Sequence, residues 1–367
     1  MNNRTKFRVG WLMAVAIVAG ACTSASGPSN APSAAAGTAA PSTGAASGVP
    51  ATGKSIKDCA ITLIPKTTDN PYFTGVRYGA NEAAAELGGK PVDFVGSPQS
   101  DVPGQIQRVQ AATVSKACAI AIATLDEAAL APALKAAKDA GIAVVGYDAD
   151  TQRDARTVFV NQVDITALGV AMAQDLAMQM NKTGTFAILS AQSTAANQNA
   201  WIAAGLEELK KPEYANMKLV KTVYGDDDYK KSYDQAVALM QAYPDLGGIL
   251  APEPAGLEGA TKARDDLNFN PELAIAGLGW PPADKELLAN GKSTGFYLWS
   301  PNDLGYMTYY AIAALVEGQI TGKEGETFDA GRLGTAKVEA NNFITVGPPV
   351  FYTKDNVEEL LGGFKTE

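Results

Sequence analysis

Apolar residues fall along this chain in two alternating patterns. Short continuous runs at 60–64, 92–95, 119–123 and 143–147 have the length of buried strands. Between them lie stretches at 74–87, from 102 onward and at 127–140, where apolar residues recur as one face of a helix requires. The punctuation agrees. Gly88-Gly89 and Gly141 close helices, and Asp101-Val102-Pro103 opens one, with Asp as the cap and Pro in the first turn, where its missing N–H costs nothing. The pattern then restarts, with strands at 185–189, 219–224, 248–251, 274–278 and 295–299 and helices at 165–180, 195–209, 229–241, 256–267 and 283–288. Ser300-Pro301-Asn302-Asp303 is the capped start of one more long helix, ending near Gly318. Alternating strands and helices predict an α/β fold of parallel sheets with helices on both faces. Two successive halves of domain size predict two similar doubly wound lobes.

The first residues follow neither pattern. Arg4, Lys6 and Arg8 precede a short apolar segment, 11–18, too short to span a bilayer comfortably. It ends in Ala19-Gly20-Ala21-Cys22, which resembles a lipobox, the bacterial signal for cleavage and lipidation at the cysteine. Residues 1–22 are thus expected to be a lipoprotein signal peptide, with Cys22 as the acylated anchor on a membrane surface. Residues 23–54 are nearly all Ala, Ser, Gly, Thr and Pro, which cannot bury enough surface to order themselves, so they read as a flexible tether. Lipid, tether and globular body together predict an extracytoplasmic protein held at the cell membrane, on the surface or in a periplasm.

Composition narrows the chemistry. The 367 residues include no histidine, which excludes Ser-His-Asp and Cys-His catalysis and His-bearing zinc sites. Lys+Arg number 30 against 39 Asp+Glu, a net charge of -9, so no basic surface is offered to a nucleic acid. No phosphate-binding Gly-Lys-Ser/Thr loop is present. Asp226-Asp227-Asp228 lacks the spacing of a calcium loop and is read as a helix cap before Tyr229. Neither a metal nor a cofactor is expected.

Ligands of doubly wound sheets bind beyond the carboxyl ends of the strands. The residues there are Lys66, Asp69, Asn70, Tyr72 and Phe73; Asp148 and Asp150; Gln192, Asn197, Gln198, Asn199 and Trp201; Pro252, Glu253 and Pro254; Trp280; and Trp299. Aromatic rings stack on the C–H face of a sugar, while amides and carboxylates bond its hydroxyls. Taken singly, Tyr72 and Phe73 are equally suited to packing a helix on the sheet, and Asp148 and Asp150 to turns. Their coincidence at the same strand ends in both halves favours a polyhydroxylated small molecule.

The run Asn70-Pro71-Tyr72-Phe73, with Asp148 at the end of the fourth strand, resembles the ribose-type (type I) periplasmic sugar-binding proteins from about Ile56 to Phe364. Two branches are similar. The rhamnose-binding branch matches at Ala196-Asn197-Gln198-Asn199-Ala200-Trp201, Val223 to Asp228, Leu298-Trp299-Ser300-Pro301 and Ala330-Gly331-Arg332-Leu333-Gly334. The branch that binds autoinducer-2 matches at Ile64-Pro65-Lys66, Gly104-Gln105, Asp148 to Thr151 and Asn161-Gln162. Lys66, Asp148, Gln198 and Pro252 stand at its binding positions, but Asn197 replaces an Asp and Pro254 an Ala, which changes the hydroxyl pattern that fits. These departures favour rhamnose, with a related pentose or polyol still open.

The resemblance implies a clamp that captures a small sugar and delivers it to an ABC transporter permease, as a monomer. It implies three crossings between lobes, near Asn161-Gln162, Ser300 and Thr345, hence one lobe of 55–161 plus 301–344 and another of 162–300 plus 345–367. Lys66, Asp69, Asn70, Tyr72, Phe73 and Asp148 would face Asn197, Gln198, Trp201, Pro252, Pro254, Trp280 and Trp299 across the cleft. Cys59 and Cys118 lead into the first and third strands, neighbours in the doubly wound order, and an extracytoplasmic disulfide between them is expected, contributing about 4 kcal/mol. A sensor with the same fold, or a surface sugar-processing enzyme using Asp148 and Glu253 as acid and base, are the other readings.

Overall fold

The computed structural model describes residues 54–367; the expected signal peptide, the lipidated Cys22 and all but the last residue of the tether lie outside them. The first sheet is built from β1 (Ile61–Ile64), β2 (Asp93–Phe94), β3 (Ala119–Ile122), β4 (Ala143–Tyr147) and β5 (Val158–Asn161). The second is built from β6 (Thr183–Ser190), β7 (Asn216–Tyr224), β8 (Leu246–Ala251) and β9 (Ala274–Gly277), with β10 (Phe296–Leu298) beside it through a parallel bridge between Leu278 and Tyr297. Four short strands follow: the antiparallel pair β11 (Thr327–Asp329) and β12 (Thr335–Lys337), then β13 (Phe343–Thr345) and β14 (Val350–Tyr352). The helices are α1 (Pro71–Leu87), α2 (Val102–Val114), α3 (Glu127–Asp139), α4 (Ile165–Gln179), α5 (Ala196–Glu208), α6 (Tyr229–Ala242), α7 (Pro254–Asp266), α8 (Pro281–Ala289), α9 (Pro301–Val316) and α10 (Val357–Leu360).

The first sheet runs β2-β1-β3-β4-β5-β13, all parallel, and the second runs β7-β6-β8-β9. Adding β10 gives both halves the same winding, a doubly wound α/β fold made twice. β1, β3, β4 and β5 are buried along their whole length, which explains why their apolar runs are continuous rather than alternating. The expected strand at 92–95 contracts to two residues at the sheet edge. β5, β11, β12, β13 and β14 were not legible as strands: each is only three or four residues long, and most pair with segments far away in sequence.

The caps follow the sequence closely. Asn70 accepts from the Tyr72 N–H at 2.9 Å with Pro71 opening α1, so the helix starts three residues before its apolar stripe. Asp101 accepts from the Gly104 N–H, Asp228 from the Lys231 N–H and Ser300 from the Asp303 N–H. The chain passes between the sheets after Asn161, after Leu298 and after Thr345, because β13 pairs with β5 in the first sheet while β14 pairs with β10 beside the second.

α9 returns to the first sheet by packing on α1, and glycines set how closely. A Cβ on Gly79 would lie 1.8 Å from the Asn302 carbonyl oxygen, and one on Gly305 would lie 1.8 Å from that of Val76. The Asn302 side chain adds a hydrogen bond to the Gly75 carbonyl at 2.8 Å.

The expected disulfide is a correction. Cys59 and Cys118 are free thiols. Ile61 pairs with Ala119, and the Cys118 N–H donates to the Ala60 carbonyl, so Cys59 is one position out of step with Cys118. The thiols are neighbours: burial first, then Cys118, pushes the Cys59 thiol well above its ordinary range. Among the described residues, no helix is long and apolar enough to cross a membrane.

Gly79→Ala is expected to lower unfolding free energy by about 1–3 kcal/mol in a denaturant titration, through overpacking of α1 on α9. A second outcome concerns pH. Burial raises the Asp175 carboxyl from 3.8 to about 6, so the folded chain holds this proton more tightly than the unfolded one. Its contribution is present below about pH 4 and is lost as pH rises to about 6. Thermal melts across that window are expected to show the fall, and Asp175→Asn to flatten it.

Candidate functional site

Each half of the molecule has a switch point, where neighbouring strands lead to helices on opposite faces: between β1 and β3 in the first sheet, and between β6 and β8 in the second. The loops at these points meet across one cleft. A cavity of ≈60 Å³ lies between them, lined by Lys66, Asn70, Tyr72, Phe73 and Asp148 from the first half. Asn197, Gln198, Trp201, Asp227, Pro252, Glu253, Pro254, Leu278, Leu298 and Trp299 line it from the second.

The polar heart of the cavity is a relay. Lys66 Nζ lies 3.4 Å from Asp148 Oδ2, and both side chains are about 5% exposed. Tyr72 donates its hydroxyl to Asp148 Oδ1 at 2.9 Å and accepts from the Trp299 indole N–H at 2.8 Å. Burial, and then the charge of Asp148, hold the Tyr72 phenol well above its ordinary range, so it stays a donor. Asp148 reaches this position with a φ of 60°, a left-handed conformation few side chains adopt, inside a tight turn in which the Ala149 N–H bonds the Tyr147 carbonyl. Asp150, a neighbouring candidate, is turned away: Arg156 clasps both its oxygens, at 2.5 and 2.8 Å.

The opposite wall presents donors. Gln198 Oε1 accepts from the Ser190 hydroxyl at 2.6 Å and the Ala191 N–H at 2.8 Å, which leaves the amide nitrogen for a ligand. Asn197 Oδ1 accepts from the Gln198 N–H at 2.9 Å, with the same consequence. Phe73, Trp201 and Trp299 supply aromatic surface; the two indoles are 5.5 Å apart and tilted by 56°.

Of the residues expected to face each other across the cleft, Asp69 and Trp280 lie off the cavity, as do the strand-end residues Asp150, Gln192 and Asn199. Asp69 is exposed and lines the outer cleft with Ser100, Gln192 and Tyr229. Trp280 packs its ring on Tyr72 and Phe364, supporting the wall from behind, while its backbone N–H donates to the Asp284 carboxylate. Asn199 is exposed and bonds the Ser193 carbonyl. Sequence reasoning missed Asp227, Leu278 and Leu298 as lining residues, and named Glu253 at a strand end without placing it among the residues that face across the cleft. Asp228 is the helix cap expected of the triple-Asp run, but Asp227 beside it lines the cavity. Position at a strand end was the available signal for all four. Burial, and then the charge of Asp227, raise the Glu253 carboxyl well above the carboxylate range, and burial raises that of Asp227. Glu253 also caps α7 by accepting from the Ala255 N–H at 3.0 Å.

The cleft is shut. Gln192 Nε2 donates to Ser100 Oγ at 3.0 Å, and Thr194 Oγ1 donates to the Leu125 carbonyl at 3.2 Å, each joining the two halves. Among the described residues, no cluster of acidic or thiol groups could hold a metal ion.

Known proteins share this arrangement. The periplasmic binding protein domain family matches residues 61–320. A D-ribose/D-allose-binding protein of Pseudomonas aeruginosa is 25% identical over 242 residues, 63% of this chain and 74% of that one. The crystal structure of a sugar ABC transporter protein from Actinomyces odontolyticus is 35% identical, with a TM-score of 0.68 over 83% of this chain and 98% of the other. An ABC transporter solute-binding protein from Clostridium phytofermentas, solved with bound L-rhamnose, is 31% identical, with a TM-score of 0.78 over 82% of this chain and 97% of the other. With its twice-wound sheets and a cavity between their switch points, the chain belongs to the type I periplasmic sugar-binding proteins.

Proposed function

We propose that this protein is an extracytoplasmic receptor that shuts on one uncharged monosaccharide, L-rhamnose foremost, and presents it to an ABC transporter permease. The observation that carries this reading is the shut cavity, where an acceptor relay on one half faces amide donors on the other. Lys66 is already paired with Asp148, and the carboxyls of Asp227 and Glu253 lie beside them, so a phosphorylated or acidic sugar would meet no unpaired cation among the lining residues. Hydroxyls can donate to Asp148 and accept from Asn197 and Gln198. The aromatic faces suit the apolar side of a deoxysugar. The rhamnose-bound relative supports the choice of ligand.

Closure follows from the division of contacts. Lys66, Tyr72 and Asp148 on one half and Asn197 and Gln198 on the other complete the site only when the halves meet, so a ligand favours the shut form. In this reading the lobes are 55–161 plus 301–344 and 162–300 plus 345–367, with hinges near Gln162, Ser300 and Thr345. The protein acts as a monomer, and lipidation of Cys22 keeps it at the membrane. An acid–base role for Asp148 and Glu253 is disfavoured, because the first is engaged by Lys66 and Tyr72 and the second by its own helix.

Titration calorimetry of the full chain is expected to give one-to-one binding with L-rhamnose tighter than D-ribose or autoinducer-2. Autoinducer-2 as the tightest ligand would reassign the branch, and no heat from any of them would remove the reading. Chromatography of the bound sugar after long incubation is expected to return it unchanged. Asp148→Ala strips a buried charge pair, and its ligand affinity is expected to fall by about 30-fold or more; unchanged affinity would take Asp148 out of the site.

A further inference from the structure

Gln162 stands at the first passage between the sheets, directly after β5 and two residues before Asp164 caps α4. It is 1% exposed, and neither Nε2 nor Oε1 has a hydrogen-bond partner among the described residues. Its neighbour is bonded: Asn161 Nδ2 donates to the Val163 carbonyl, and the Asn161 carbonyl accepts from the Val346 N–H. A buried amide bonded at neither end is costly and rare in a native protein, so it calls for a physical reason.

Its place supplies one. Gln162, Trp299, Ser300 and Val346 line a single cavity of ≈470 Å³, so the three passages between the sheets come together there. These are the segments whose torsions must change when the two halves rotate. The structure is shut at the opposite end of the cleft, where Gln192 bonds Ser100 and Thr194 bonds Leu125. Trp299 also lines the ligand cavity, so it is the wall between that cavity and this one.

We infer that Gln162 is an affinity-setting residue outside the ligand cavity: its amide is hydrated when the cleft is open and is stripped of partners when it shuts. Closure of the empty protein is thereby opposed, and a ligand must offset that cost before its own contacts show as affinity. The empty receptor then stays open, and the shut form reports an occupied site. This inference rests on the clamp reading proposed above.

The test compares the full chain with Gln162→Leu and Gln162→Met, which keep the bulk of the side chain and remove its polar groups. Small-angle X-ray scattering without sugar is expected to show both variants more compact than the parent. Titration with L-rhamnose, D-ribose and autoinducer-2 is expected to show tighter binding of whichever the parent binds, by roughly 5- to 150-fold, mainly through slower release. Equal or weaker affinity with unchanged scattering would overturn the inference. So would loss of folding in both variants, which is the behaviour of a residue needed only for packing. The clamp reading fails separately: parent protein whose scattering does not change on saturation with sugar has no closure for Gln162 to oppose. Compaction of the parent by sugar, with neither variant differing from it, removes only the role of Gln162.

Discussion

A buried ion pair organises this molecule. Lys66 and Asp148 are taken out of water on neighbouring loops, and their attraction alone does not repay that desolvation. The cost is met by what surrounds them. The Tyr72 hydroxyl satisfies the free oxygen of Asp148, and Trp299, from the second passage between the sheets, satisfies Tyr72. The relay therefore ties the ligand cavity to a segment that must move if the halves separate. Asp148 adopts an uncommon backbone conformation to take part. Strain and desolvation held together at one point suit a site that is completed by something else, here the hydroxyls of a ligand.

The duplicated winding makes the rest possible. Each sheet reverses strand order once, and the loops at that reversal are left free to project beyond the sheet. One reversal gives a shallow half-site. Two, facing each other, give an enclosed cavity in which a small polar molecule can be bonded from all sides. The close approach of α9 to α1 through Gly79 and Gly305 holds the returning segment against the first sheet, so the later passages end on a firm support. The hinge side carries the opposite character. There, the Gln162 side chain, without a hydrogen-bond partner among the described residues, sits beside a cavity.

Much of the site was legible because strand ends can be found from apolar runs. Lys66, Asn70, Tyr72, Phe73, Asp148, Asn197, Gln198, Trp201, Pro252, Pro254 and Trp299 all follow predicted strands, and all line the cavity. Asp69 and Trp280 follow the same rule and do not, since position after a strand does not fix the direction of a side chain. Asp227 was hidden by its neighbour: in a run of three aspartates, the cap at Asp228 explained them all. Leu278 and Leu298 carry no chemical signal; only the enclosure of the cavity makes an apolar side chain part of a binding surface.

The sequence alone determined the class of fold, the order of its main strands and helices and most caps, because these depend on local periodicity and on side chains that bond their own backbone. It also determined what chemistry was absent, since no histidine can be supplied by folding. Tertiary structure decided the rest. Packing left Cys59 and Cys118 as neighbouring free thiols, and distant pairing created β13 and β14, which carry too few residues to show a pattern. Amide orientation also belongs to the tertiary level: Gln198 presents its nitrogen because Ser190 and Ala191 hold its oxygen. Gln162 reads as an ordinary polar residue until the fold surrounds it. Burial and partnership are properties of neighbours brought together from across the chain, and local pattern does not encode them.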